Sequence, residues 1–179
     1  MKNRIERSRV EKGGRLAMGW FQEFLEVDKQ TAFNFFLSGL RDVSDEKSDD
    51  EVLYVASVLA HYAQTSRYEI FDMPLLDGLS EVFDQFVMNK IDDPNILETA
   101  GAQTLFFAGF FRDHMQRRHN VKWYDSIGSS FYVLAGSNSK QINKRILFQN
   151  MSKSFPKWTL TCRDLNRYFR EKRFLLKLN

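Results

Sequence analysis

Apolar side chains recur along this chain at steps of three and four residues, with polar ones between them. That is the spacing of helices burying one face. Phe33, Phe36, Leu37 and Leu40 form one such stripe, and Asp28 stands before it as a plausible N-cap. Val52, Val55, Ala56, Leu59 and Ala63 form the next, behind Asp49, Asp50 and Glu51, where negative charge suits the positive end of a helix dipole. A helix is predicted to begin near Leu16, with Trp20, Phe21, Phe24 and Leu25 on one side. Another is predicted over about 73–89, with Leu79, Val82, Phe83, Phe86 and Val87 together. Asp92-Asp93-Pro94 gives a capping carboxylate followed by Pro at the first helical position.

The helix after Pro94 is the most apolar. Thr104 to Phe111 is hydrophobic all round, the pattern of a helix at the centre of a fold. Gly109 lies inside it. A mid-helix Gly costs about 1 kcal/mol against Ala, so a closely approaching neighbour is expected there. A helix over 123–135 is predicted to turn Tyr124, Ile127, Gly128, Phe131 and Leu134 inward, before a turn at Gly136-Ser137-Asn138-Ser139. A basic amphipathic helix follows to about Phe155, with Pro156 ending it. Thr161-Cys162-Arg163-Asp164 reads as a capping-box variant opening a last helix that carries Leu165, Tyr168, Phe169, Leu175 and Leu176. Trp158 to Thr161 is the one candidate strand, too short and isolated for a sheet. The expectation is an all-α fold: a single domain of six to eight helices packed around the central apolar helix. Residues 1–17 form a polar basic arm, and 18–179 the helical domain.

Composition sharpens this. A chain of 179 residues can bury a core without staples. Its 17 Phe, 6 Tyr and 3 Trp predict an aromatic interior, and 3 Pro and 9 Gly favour long elements over loops. The lone Cys162 excludes an internal disulfide and a cysteine metal cluster, and reads as a buried thiol. Lys2 to Arg15 contains no apolar core of a secretory signal. An amphipathic targeting arm is the rival reading of 1–17, opposed by Glu6 and Glu11. Uncharged runs such as Thr99 to Phe111 fall short of the ~20 residues of a membrane-spanning helix. A cytoplasmic setting is therefore expected.

The net charge of +3 hides an asymmetry. Residues 1–20 carry six Lys/Arg against two Asp/Glu, net +4; residues 21–100 carry five against seventeen, net −12; residues 101–179 carry fifteen against four, net +11. The two large blocks either neutralise each other across the fold or leave a basic face exposed.

Leu105-Phe106, Gly109-Phe110-Phe111, Trp123-Tyr124, Gly128 and Tyr132 form a pattern within residues 97–135 that resembles a family of small bacterial helical proteins of unknown function. The resemblance implies a helical fold and a bacterial cytoplasmic setting, and it attaches no activity.

Enzyme signatures are missing. There is no Gly-rich phosphate loop, no His-Glu-x-x-His and no Gly-x-Ser-x-Gly. No Glu-x-x-His pair suggests a di-iron bundle. His114 and His119 are five apart, on different helix faces, and Asp42 to Asp50 lacks the ligand alternation of a calcium loop. No metal and no cofactor is expected.

Two basic clusters remain. Arg112, Asp113, His114, Arg117, Arg118, His119 and Lys122, with Tyr124 and Asp125 beyond, suit an anion pocket. The plainer reading is a solvated helix end, with Asp113 and Arg117 paired one turn apart. In the C-terminal third, Arg163, Arg167, Arg170 and Arg173 recur at steps of four and three among Tyr168, Phe169 and Phe174. Cations interleaved with rings suit nucleic acid, an acidic partner or a membrane surface. They also suit packing against the chain's own acidic half. The function expected is a non-enzymatic regulatory or interaction module binding an acidic protein partner through this third. Nucleic-acid binding and a small enzyme with an anion pocket at 112–125 are the alternatives, and a homo-oligomer stays open.

Overall fold

The computed structural model describes residues 27–45, 48–65, 84, 91–117 and 119–171. The arm at 1–17, the helix expected near Leu16, the one expected over 73–89 except residue 84, and Arg118, Arg173, Phe174, Leu175 and Leu176 lie outside them. Six α-helices and one π-helical turn occur among the described residues, which are 86% helical and contain no strand. They share one hydrophobic core, so the all-α expectation holds.

Helix α1 (Lys29–Val43) starts where Asp28 accepts the Thr31 N–H at 3.0 Å. It buries Phe36 and Leu40. Helix α2 (Asp49–Thr65) buries the whole predicted stripe, from Val52 to Ala63. Helix α3 (Pro94–Leu105) is capped by Asp93, whose carboxylate accepts the Asn95 N–H at 2.8 Å. The chain then widens into a π turn (Phe106–Phe110) before the short α4 (Arg112–Met115). Helix α5 (Val121–Asn138) and the 30-residue α6 (Ile142–Glu171) complete the order.

The π turn is the centre of the packing. All five of its residues are buried. Phe106 stacks on Phe110 with ring centres 5.9 Å apart and also meets the Tyr62 ring of α2 at 5.1 Å. Gly109 fulfils its expected role: a Cβ there would stand 2.8 Å from Cys162 Cβ and 3.2 Å from Thr159 Cα on α6. Only a hydrogen lets the two backbones approach this closely. Cys162 is fully buried, and that burial pushes its thiol pKa up.

Helix α6 corrects the boundaries read from sequence. It is one helix, about 45 Å long, running through Pro156 and over both the expected break and the candidate strand. Pro156 removes one amide donor and opposes the helix by about 3 kcal/mol. Phe148, Met151, Phe155, Trp158, Cys162, Leu165 and Phe169, buried on both sides of it, outweigh that term. Thr161 opens no helix; its hydroxyl donates back to the Lys157 carbonyl at 3.1 Å. Two further expectations change. The turn expected at 136–139 is the last turn of α5 to Asn138, and Leu134 is exposed while Tyr132 and Ala135 take the inward positions.

Candidate functional site: an arginine cluster around Asp113

Asp113 of the first cluster and Arg167 of the second, 54 residues apart in sequence, meet in the fold. Helix α4 follows the π turn and lies against the C-terminal half of α6. Asp113 on α4 accepts two hydrogen bonds from Arg167 on α6, Nε to Oδ2 at 2.8 Å and Nη2 to Oδ1 at 2.7 Å. This is the side-on fork in which guanidinium and carboxylate planes match. Arg163 and Arg170, one turn either side, also act on the Asp113 charge. The Arg167 hydrogen bonds, helped by these three positive charges, hold the Asp113 carboxyl below its ordinary pKa. The predicted pairing of Asp113 with Arg117 gives way to this contact.

The three arginines are anchored in different ways. Arg163 bonds Asp164 through Nε at 2.8 Å and Nη2 at 2.7 Å. Arg170 Nε donates to Asn166 Oδ1 at 3.1 Å, which places the Arg170 head beside the buried Asn166. Asn166 in turn donates to the Phe110 carbonyl, one of the backbone acceptors that the π turn leaves over. Arg167 is half exposed, with 51% of its side chain open to solvent, so its fork with Asp113 stands at the surface. His114 and Arg117 are exposed on α4 and just beyond it, and His119 packs edge-on against Tyr124.

Arg112 does not belong to this surface. Its guanidinium turns inward and meets Asp125 on α5 with both Nη atoms at 2.9 Å. Nη1 also donates to Thr159 Oγ at 3.0 Å. The Thr159 hydroxyl lies 2.9 Å from both Asp125 Oδ1 and the Pro156 carbonyl and can donate to one of them. Arg112, Asp125 and Thr159 are all buried, and among the described residues Arg112 Nε has no hydrogen-bond partner. The cluster expected as one anion pocket at 112–125 is thus divided. Arg112 and Asp125 form an internal tie between α4, α5 and α6, and Asp113 faces out. His114 is exposed.

Among the described residues, the arginines of the last third pair mainly with acids of that same third. Asp113, Asp125 and Asp164 are three of the four acids in residues 101–179, and each is paired with an arginine of the same third. Lys144 reaches across to Glu98 of the acidic block at 2.9 Å. Further contacts between the blocks, among the described residues, come from neutral donors. Glu51 is buried and accepts from Trp158 Nε1 at 2.7 Å and Ser154 Oγ at 2.6 Å; Asp42 accepts from Tyr168 at 2.8 Å. Glu51 read as an exposed acid of a helix start and is instead the anchor of α6 on α2. No sequence signal marks it, because its partners lie more than one hundred residues away.

Among the described residues, no group of three or more His, Cys, Asp or Glu side chains is placed to hold a metal ion, and no helix is long and apolar enough to cross a membrane. No protein-family model matches the chain, and no curated protein or solved structure is significantly similar to it.

Proposed function

We propose that this chain is a non-enzymatic interaction module that binds an acidic partner through its basic C-terminal third, in a cytoplasmic setting. The observation that carries the reading is the row of Arg163, Arg167 and Arg170 on one stretch of α6, with Arg167 forked on Asp113, Arg163 on Asp164 and Arg170 beside Asn166. Three guanidiniums against two carboxylates, Asp113 and Asp164, leave a positive surface with N–H donors to spare, because each guanidinium has five. The cluster stands on a rigid base. Helix α6 is fixed to α2 through Glu51 and to the π turn through Asn166, so little ordering entropy remains to be lost on binding.

The test is fluorescence anisotropy with a labelled oligoglutamate peptide and with single-stranded DNA of matched charge. The expected result is peptide binding that weakens at least tenfold when Arg163 and Arg170 are both changed to Gln, with the fold unchanged by circular dichroism. Peptide binding indifferent to that double change sinks the reading. DNA binding that falls by about 10³-fold between roughly 50 and 200 mM salt, with no measurable peptide binding, replaces it with nucleic-acid recognition.

A further inference from the structure

Asp113 occupies the place an incoming acid would take. Its carboxylate lies side-on against Arg167, with one oxygen on Nε and one on Nη2. The Nε of Arg167 is committed to Asp113, so the one side-on edge that includes it is taken and only the end-on edge of its two Nη atoms is left. An outside carboxylate that docks side-on must therefore remove Asp113 first. Removal is inexpensive. The pair is exposed at 51% and 32% of its two side chains, and exposed pairs contribute little net free energy because water and salt compete for both partners. Among the described residues the hydrogen bonds to the Asp113 carboxylate come from α6, and Asp113 sits on a four-residue helix.

Resting on the acidic-partner reading above, we propose that Asp113 is a built-in competitor: it occupies the Arg167 fork in the free protein and is displaced by a carboxylate side chain of an acidic polypeptide partner. Arg170, and Arg163 through the donors that Asp164 does not take, hold neighbouring acids of the same partner while the exchange takes place. The carboxylate class is chosen because the fork already holds a carboxylate in matching geometry. The device lowers affinity for isolated acids, whose gain on Arg167 is offset by the loss of Asp113. It favours partners with several acids, which engage Arg163 and Arg170 as well.

The test is the same anisotropy titration with labelled oligoglutamate, using wild type, Asp113→Asn, Arg167→Gln, the double variant, and Glu171→Gln as a control for the lost negative charge. Asp113→Asn is expected to tighten peptide binding by about 1.5- to 5-fold, the range of an exposed ion pair. The gain disappears in the Arg167→Gln background, and Glu171→Gln does not reproduce it. An equal gain with and without Arg167, or in Glu171→Gln, reduces the effect to net charge and overturns the proposal. Unchanged affinity in Asp113→Asn, with binding still lost on changing Arg163 and Arg170, also overturns it while leaving the acidic-partner reading standing. Failure of every variant to bind the peptide removes both. A larger gain from Asp113→Asn for DNA than for the peptide reassigns the fork to phosphate.

Discussion

Arg112 and Asp113 are neighbours in sequence, and each belongs to an Arg–Asp ion pair, yet the two pairs do opposite work. Arg112 points into the core, where Asp125 and Thr159 close around its guanidinium. Asp113 points out, where Arg167 meets it at the surface. The distances are nearly the same, 2.9 Å for the inner pair and 2.7 Å for the outer. The surroundings differ: about one tenth of each inner side chain is exposed, against half and one third for the outer pair. Two bidentate Arg–Asp contacts of similar length, end-on in the core and side-on at the surface, thus yield a structural tie in one place and an exchangeable contact in the other. Burial decides, because a charge without its partner is costly only where water cannot replace that partner.

The largest expected effect comes from breaking the inner pair. Asp125→Ala leaves the Arg112 guanidinium buried and unpaired, and should destabilise the fold by about 3–5 kcal/mol in urea unfolding. The paired replacement Arg112→Met with Asp125→Leu should recover most of that loss, since a buried ion pair contributes little beyond an apolar pair of similar size. If the double variant is as unstable as Asp125→Ala, the inner pair is more than a filler of the core.

Next comes the helix that carries Asp125. At Gly128, one turn on, a Cβ would lie 2.0 Å from Phe155 Cζ, inside a fully buried ring. Gly128→Ala should push α5 off α6 and cost about 1–3 kcal/mol, despite a helix-propensity gain of up to about 1 kcal/mol. Increased stability on thermal unfolding would show that Phe155 yields easily and that the inner contacts are looser than described.

Breaking the outer pair should do much less. Arg167→Gln is expected to change stability by under about 1 kcal/mol, with the difference shrinking as salt is raised. A loss comparable to that of Asp125→Ala would erase the contrast between the pairs. The smallest effect is on pH dependence. Because Arg167 depresses the Asp113 pKa, the pair adds stability above the unfolded carboxyl pKa of about 3.9 and loses it as pH falls through the lower folded value. An NMR titration of the Asp113 carboxyl carbon should place its midpoint below that of Asp113 in an Arg167→Gln variant. Coincident midpoints would show that the fork does not persist in solution.

Much of the fold was legible along the chain. The Asp28 and Asp93 caps, the stripe from Val52 to Ala63 and the all-round burial of Thr104 to Phe110 follow from local spacing, which a helix reads directly. The expectation of a break at Pro156 failed because a local propensity of a few kcal/mol met seven buried side chains on one continuous face. Leu134 failed for a related reason: position 134 fits an apolar rotation of α5, but Tyr132 and Ala135 face the neighbours that tertiary packing supplies. The candidate site was half legible. Arg163, Arg167 and Arg170 stood out by their spacing, whereas their carboxylate centre at Asp113 did not, because the contact spans 54 positions.

The amino-acid order by itself determined the all-α character, the caps at Asp28 and Asp93, the aromatic interior, the need for a Gly at 109 and the concentration of positive charge in the last third. These are properties of near neighbours on the chain, set by periodicity, propensity and composition. Which of two adjacent ionic residues turns inward, where a π turn interrupts α3, and which acid each arginine takes were decided only when α4, α5 and α6 closed on one another. Those choices depend on what water can reach, and access to water belongs to the assembled fold.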